Sequence, residues 1–258
     1  MKIATFNVNG ISARLPRLLE WLAEASPDIA CLQELKTSDE TFPAEAIRDA
    51  GYSALWHGQK GFNGVAVLAK GGGLVERRRG LGGDPEDAHS RYLEAEAHGL
   101  IVASIYLPNG NPQPGPKFAY KLAWFERLIE HAAGLVSESQ PVLLIGDYNV
   151  VPTDGKGDIY SPASWKDDAL LQPETRAAYQ RLIAQGWTDA IHQLHPGKPI
   201  YTFWDFFRKR FERDAGLRID HLLLNAPAAA RLKEAGVDKA VRARERPSDH
   251  APTWVVLD

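Results

Sequence analysis

The feature that most constrains this chain is a recurring pair: an apolar run of strand length, then a short cluster of polar, chemistry-capable residues. These pairs are spread from one end of the sequence to the other. The series opens with Asn7-Val8-Asn9-Gly10 and runs through Leu32-Gln33-Glu34, Tyr106-Leu107-Pro108-Asn109 and Gly146-Asp147-Tyr148-Asn149. It continues with Gly216-Leu217-Arg218-Ile219-Asp220-His221 and closes with Ser248-Asp249-His250. A polar group just past a buried strand emerges at a sheet end, where α/β folds gather reactive side chains. The clusters therefore predict one shared cleft.

Periodicity supplies the scaffold. Lys2 to Val8 reads as a strand, and Leu15, Leu18, Leu19 and Leu22 predict an amphipathic helix over residues 13–25, closed by Pro27-Asp28. Residues 29–34 are apolar enough for a central buried strand; 52–57, 63–69, 74–79, 92–97 and 100–106 read as successive strands joined by glycine turns. Gly71-Gly72-Gly73 reads as a hairpin turn, because no phosphate-cradling pattern surrounds it. Phe118, Leu122, Phe125 and Ile129 predict a helix over 117–133, and Pro141 to Ile145 a strand leading into Gly146-Asp147. Residues 150–170 have no steady period and suit a long functional loop; 174–185 read as helix, 218–224 and 252–257 as strands. The expected architecture is an α/β mixed-sheet sandwich with helices outside it; an alternating barrel fits less well.

Bulk properties bound the rest. With 258 residues, 44% of them hydrophobic, and no linker-like stretch, one domain over 1–258 is the expectation. The lone Cys31, inside an apolar run, excludes a disulfide scaffold and structural zinc and points to a reducing compartment. No signal-like segment precedes the first strand and no apolar run reaches membrane-spanning length, so a soluble cytoplasmic protein without a membrane partner is expected. A net charge of −3 says little against a nucleic-acid partner, because a basic footprint can be local. Three basic runs qualify: Arg77 to Arg79, Arg208 to Arg210 with Arg213, and Lys239, Arg242, Arg244 and Arg246. Each is either a phosphate contact or a solvated face.

The polar clusters are rich in carboxylates and amides and contain no nucleophilic Ser or Cys motif, which suits a hard cation, magnesium or manganese, and an oxygen-rich substrate. Glu34 alone would read as a surface carboxylate; beside Asn7, Asp147, Asn149 and Asp249 it reads as a metal ligand. If strand geometry persists, Asp147 and Asn149 share a face, with Tyr148 on the other; a tight turn at Asn149 is the alternative. His250 needs an orienting carboxylate, and Asp220 is the leading candidate, whereas His221 faces away and reads as structural. Tyr201 to Phe207, followed at once by Arg208, fits a core strand with an amphipathic edge or a surface whose rings and cations meet nucleic acid.

Together, in this order and over nearly the whole chain, Asn7 to Arg14, Leu32 to Lys36, Tyr106 to Asn109, Gly146 to Asn149, Tyr201 to Asp205, Gly216 to Asp220 and Ser248 to His250 resemble the exonuclease III family of apurinic/apyrimidinic endonucleases, within the endonuclease/exonuclease/phosphatase superfamily. The resemblance implies a four-layered α/β sandwich. It implies magnesium-dependent hydrolysis 5′ to abasic sites in double-stranded DNA, with 3′-end cleaning or exonuclease activity, in a monomeric, cytoplasmic, nucleoid-associated bacterial-type protein. Glu34 would hold the metal with help from Asn7, and Asp249 a second or alternative position. Asp147, Asn149 and His250 would also belong to the metal site. Asp147 would activate water, Asn149 would sit by the phosphate, and His250 with Asp220, together with Tyr106, would stabilise developing charge. Phe203, Leu217 and Ile219 would line a pocket for the base-less sugar, Phe207 would wedge into the duplex, and Arg91 and Asn109 would contact phosphates. The chain departs from the pattern at Leu35, Asn9 and Leu217, where relatives carry Thr, Asp or Trp. A phosphoinositide or phospholipid phosphoesterase and a non-catalytic DNA-binding module are the competing readings.

Overall fold

A computed structural model describes residues 1–258. The strands form two mixed six-stranded sheets. The first runs β11 (Leu232–Val237), β12 (Thr253–Leu257), β1 (Lys2–Asn7), β2 (Ile29–Gln33), β4 (Val65–Lys70), β3 (Tyr52–His57). The second runs β5 (Val75–Arg79), β6 (Tyr92–Ala97), β7 (Leu100–Tyr106), β8 (Val142–Asp147), β10 (Asp220–Leu224), β9 (Thr188–Asp189). Ile3, Cys31 and Val67 of one sheet meet Leu93, Val102 and Ile145 of the other in a core between them. Cys31 is thus the small core residue its sequence context predicts.

Helices cover both outer faces. On the first sheet, α1 (Ile11–Ala25) buries Leu18, Trp21 and Leu22, and α2 (Ala44–Asp49) buries Ile47, against Phe6, Leu32 and Leu68. On the second, α3 (Pro116–Leu135) and α4 (Pro173–Ile183) pack Phe125, Leu128 and Leu182 onto Ile105 and Leu144. Short α5 (Ala190–Leu194) and α6 (Ala226–Ala229) close the edge, with Ile191 and Ala228 in the inter-sheet core. The layers are α/β/β/α, the four-layered sandwich expected. Strands covered on both faces account for the continuous apolar runs: all of Ile29–Gln33 and Val142–Asp147 is buried.

Two local readings change. Gly71-Gly72-Gly73 is not a hairpin turn: β4 and β5 lie in different sheets, so the glycines carry the chain from one sheet to the other. Tyr201 to Phe207 is not a strand either. Only Phe203 makes bridges, to Leu217 and to His250, and the run ends in a 3-10 turn over Phe207–Lys209. Gly216 permits this crossing, since a Cβ there would come within 2.6 Å of Tyr201 Cβ and 2.7 Å of Trp204 Nε1.

Strand register decides where the polar clusters meet. Asp147 on β8 stands opposite both Tyr106 on β7 and Asp220 on β10, three functional side chains abreast at one sheet end. Asn7 ends β1 beside Gln33, the last residue of β2, so Glu34 follows at the same end of the other sheet, while Ser248 to His250 enters there just before β12. Gly146 makes the close approach of β7 and β8 possible: a Cβ would meet Ile105 O at 1.9 Å.

Candidate active site

The cleft at the shared sheet ends brings together Asn7, Glu34, Tyr106, Asp147, Asn149, Asp220 and His250. Glu34, Asp147 and His250 each offer a ligand atom, all within 4.8 Å of one another. Asn7 Nδ2 donates to Glu34 Oε1 and to Asp147 Oδ2, both at 2.9 Å. Its Oδ1 accepts from the Asn9 backbone N–H at 3.0 Å, which fixes the amide orientation. Asn7 therefore spans the two sheets and aligns their carboxylates. Asp249 stands outside the group of three; its Oδ1 accepts from Asn9 Nδ2 at 2.9 Å.

His250 Nδ1 lies 2.8 Å from Asp220 Oδ2, and its Nε2 lies 3.8 Å from Asp147 Oδ2. Phe203 and Thr202 make this pairing possible by threading between the two segments. Thr202 Oγ1 accepts from the Ile219 and Asp220 N–H groups at 3.1 Å, and Thr202 O accepts from Ala251 N at 2.8 Å. Burial disfavours the imidazolium, but the Asp220 carboxylate and its hydrogen bond, then Asp147 and Asp249, raise the His250 pKa to about 10. In the metal-free protein His250 is thus a proton donor at neutral pH.

Asp147 is governed by burial first; His250 opposes the effect, but the Asp220 and Glu34 charges add to it, and its pKa rises to about 7. Burial also works against Glu34, yet Lys36 at 2.8 Å, the Asn7 amide and His250 hold its pKa below the ordinary value. Tyr106 is pushed well up by burial and by the Glu34 and Asp147 charges, so its phenol keeps its proton. The donor set fits a hard divalent cation. Carboxylate oxygens crowd together with only the imidazolium and Lys36 to offset them, and Asp220 Oδ1 is buried without a hydrogen-bond partner.

Asn149 reaches the site by a turn and not by strand continuation. β8 ends at Asp147, Asn149 has φ of 47°, and its N–H donates back to Asp147 Oδ1 at 2.9 Å. Its Nδ2 donates to Leu107 O at 2.9 Å, and its Oδ1 accepts from Asn109 Nδ2 at 3.1 Å, so Asn109 belongs to the site's edge. Lys121 is a residue that sequence reasoning missed. Fully buried among the apolar positions of α3, it donates to Asn149 O at 2.5 Å and Asn109 O at 3.0 Å, and burial lowers its pKa to about 7. A lysine inside an apolar helical stripe was the available signal. Arg91 lies over the Tyr106 ring at 4.8 Å and donates to Tyr106 O at 3.2 Å.

Of the pocket candidates, the Phe203 ring sits 5.0 Å from the His250 ring, while Leu217 and Ile219 are buried beneath it against Ile159, Leu170 and Leu171. Phe207 stands out from the surface at 74% exposure. His221 points away from the cleft, as expected, with its Nε2 3.0 Å from Val150 O. Two of the three basic runs are partly spent in ion pairs. Arg77 pairs with Glu94 and Glu96, Arg79 with Glu76, Lys239 with Asp214, and Arg244 with Glu24. Arg208, Lys209 and Arg210 are free of ion pairs beside exposed Phe206 and Phe207.

A four-layered sandwich whose sheet ends converge on carboxylates, amides and an imidazolium, without a nucleophilic side chain, defines a hydrolase of the metal-assisted phosphoester type. The chain belongs to the endonuclease/exonuclease/phosphatase family, whose model matches residues 4–250. It is 38% identical to exodeoxyribonuclease III of Haemophilus influenzae, over 98% of each chain. Among solved structures it is similar to an AP endonuclease from Archaeoglobus fulgidus (TM-score 0.95, 36% identity, covering 100% of this chain and 99% of that one). It is equally similar to a Neisseria 3′ phosphatase bound to a product DNA hairpin (TM-score 0.94, 39% identity, 100% and 99% covered). No helix is long and apolar enough to cross a membrane.

Proposed function

We propose that this chain is a magnesium-dependent DNA repair nuclease of base excision repair. It would hydrolyse the phosphodiester 5′ to an abasic site in duplex DNA, and clear or resect 3′ ends with the same site; manganese would substitute for magnesium. The observation that supports it is the pairing of a basic Asp147 with an acidic His250 across a gap of 3.8 Å, flanked by Glu34. One group can take a proton and the other can stabilise negative charge on a phosphate bound beside the pair. The repair nuclease relatives raise DNA over a phospholipid as substrate.

Asp147 takes the proton of the attacking water, and Asn7 and the Asn149 N–H hold it in line. Water oxygen bonds to phosphorus, the bond from phosphorus to the upstream O3′ breaks, and a proton ends on that O3′ as a 3′ hydroxyl. The His250 Nε2–H faces the phosphate as charge builds on its oxygens, with Asp220 keeping the ring oriented and charged. Tyr106, held protonated, offers a second donor, and Asn149 turns its remaining amide N–H to the phosphate. Magnesium held by Glu34 and Asp147, with Asp249 as a further carboxylate, would neutralise phosphate charge. Phe207 with Arg208 to Arg210, and Arg91 with Asn109, are assigned to the duplex flanking the cut; the chain is taken to act as a monomer in the bacterial cytoplasm.

The test is a labelled duplex with one reduced abasic analogue, which blocks lyase chemistry, assayed with magnesium or excess chelator. Incision immediately 5′ to the analogue, lost with chelator and lowered at least about 10²-fold in Asn149→Ala, is expected. An intact duplex in parallel measures 3′ resection. Folded, metal-supplied protein that cuts neither duplex would refute the assignment in favour of a small-molecule phosphoesterase.

A further inference from the structure

The loop from Val150 to Leu171, aperiodic in sequence, runs alongside the Gly216–Ile219 segment. Ile159 bridges to Leu217, Tyr160 N donates to Gly216 O at 3.1 Å, and Arg218 N donates to Asp158 O at 2.8 Å. Leu170 and Leu171 bury against Ile219, and Trp165 and Phe203 pack onto the same cluster. Trp165 is half-buried. Its ring meets Phe203 edge to face, with centroids 6.2 Å apart and planes at 70°. The Arg210 guanidinium lies over the indole at 4.6 Å, with its Nε buried and unpartnered. Phe203 in turn lies 5.0 Å from His250. These contacts link His250, Phe203, Trp165 and Arg210 one after another in a row.

We propose that Trp165, capped by Arg210, is a specificity-determining residue: it closes the far side of the sugar pocket and keeps out a nucleotide that still carries its base. The inference deepens the repair-nuclease reading and rests on it. A phosphate at His250 sets its sugar against Phe203, the next ring in the row. A base on that sugar would project further along the row, into the volume the indole and guanidinium hold. The edge-to-face contact on one side and the stacked cation on the other fix the indole, so it acts as a wall and does not swing aside. The wall is supplied by a stretch of chain that shares no strand with the catalytic residues. Pocket shape can therefore change there without disturbing Asp147 or His250.

The experiment compares kcat/KM on two substrates for wild type, Trp165→Ala, Trp165→Phe and Arg210→Gln. One substrate is a duplex with an internal reduced abasic analogue; the other is a recessed duplex with an ordinary 3′-terminal nucleotide. Opening the wall should raise the ratio of base-bearing to abasic turnover on the order of tenfold in Trp165→Ala, the scale on which a pocket discriminates by shape. Trp165→Phe, which keeps a ring on Phe203, should restore most of the discrimination. A merely structural tryptophan would lower both activities together and leave the ratio unchanged, which would overturn the proposal. Should Trp165→Ala fail to fold, Arg210→Gln decides. Weaker phosphate binding affects both substrates alike, so a ratio shifted towards base-bearing DNA supports the wall and an unshifted one refutes it. Wild-type incision at the analogue separates the two ideas: an inactive wild type removes the repair reading and the wall with it, whereas an active wild type with an unshifted ratio removes the wall alone.

Discussion

Strand β10 and the residues leading into it serve two buried charge clusters on opposite sides, and the two are built on opposite principles. Behind the cleft, Arg218 is held between Asp158 at 2.8 Å and Asp189 at 2.6 Å, with His221 Nδ1 3.1 Å from the same guanidinium. There burial is outweighed by the attraction of opposite charges: Asp189 is driven well below the ordinary carboxylate range and Arg218 is raised. In the cleft, Glu34, Asp147 and Asp220 face one imidazolium and Lys36; Asp147 is pushed up, and a carboxylate oxygen of Asp220 goes unpartnered. A saturated cluster holds the chain in place. An unsaturated one is poised to take up a cation and move protons, at a cost in stability. Alternation on β10 turns His221 to the side opposite Asp220, and Arg218, which precedes the strand, joins His221 there although it is two residues from Asp220.

Exchanging the roles should break this contrast. Asp220→Asn should lower abasic-site incision about 10²–10⁴-fold, and should lower the urea midpoint of the metal-free protein less than Arg218→Met does, because loss of the His250 ion pair is partly offset by relief of the repulsion on Asp147. It should also shift the alkaline limb of the pH–rate profile to lower pH, because the His250 imidazolium loses its principal counter-charge. An unmoved limb would remove Asp220 from its orienting role. Arg218→Met should do the reverse, costing about 3–5 kcal/mol in equilibrium unfolding because two aspartates are left buried without a cation. Activity per folded molecule should change far less. Equal losses of activity in the two variants would show that the clusters form one functional unit.

The contrast extends to pH. Asp189 has a depressed folded pKa, so its contribution is present above its unfolded value near 3.8 and is lost as pH falls below it. His250 has a raised folded pKa, so its contribution is complete below its unfolded value near 6.5 and is lost as pH climbs towards about 10. Asp147, also raised, takes stability away as pH rises from about 3.8 to about 7. Metal-free protein should therefore lose stability on the alkaline side through the cleft and on the acid side through the network behind it. Unfolding midpoints in excess chelator test this. His250→Gln should flatten the loss between pH 6.5 and 10, and an unchanged slope there would contradict the assignment.

Much of this was legible in the sequence, because a strand of known length ends where its apolar run ends. The clusters around Asn7, Glu34, Asp147, Asp220 and His250 could be placed at a sheet end, and the order of motifs carried the resemblance. What escaped depends on pairing between distant segments. Gly71-Gly72-Gly73 is compatible with a hairpin locally, and only the pairing of β4 with β2 and β3, and of β5 with β6, sends the chain to the other sheet. Lys121 keeps helical spacing with Phe125, and only the carbonyls it meets, in a loop of another layer, give it a role. Trp165 sits in an aperiodic loop whose neighbours come from residues 203 and 210. Charge runs were the least legible: arginines in short basic runs are neutralised or free according to which carboxylates the fold brings beside them.

That last point sets the smallest effect, and it can be measured within one protein. Arg77 and Arg79 are committed to Glu94, Glu96 and Glu76, whereas Arg208, Lys209 and Arg210 carry no carboxylate partner and flank the exposed Phe207. An arginine already paired would have to break its ion pair to reach a phosphate and would release few counterions from DNA. Neutralising Arg208, Lys209 and Arg210 to Gln should therefore reduce the slope of log K against log salt by about 0.9 for each phosphate that these side chains no longer neutralise. Arg77→Gln with Arg79→Gln should leave the slope as it was. If the pattern came out reversed, DNA would lie across the edge of the second sheet at β5, away from the mouth of the cleft; if neither pair of slopes moved, affinity would come from the cleft itself and the aromatic residues beside it.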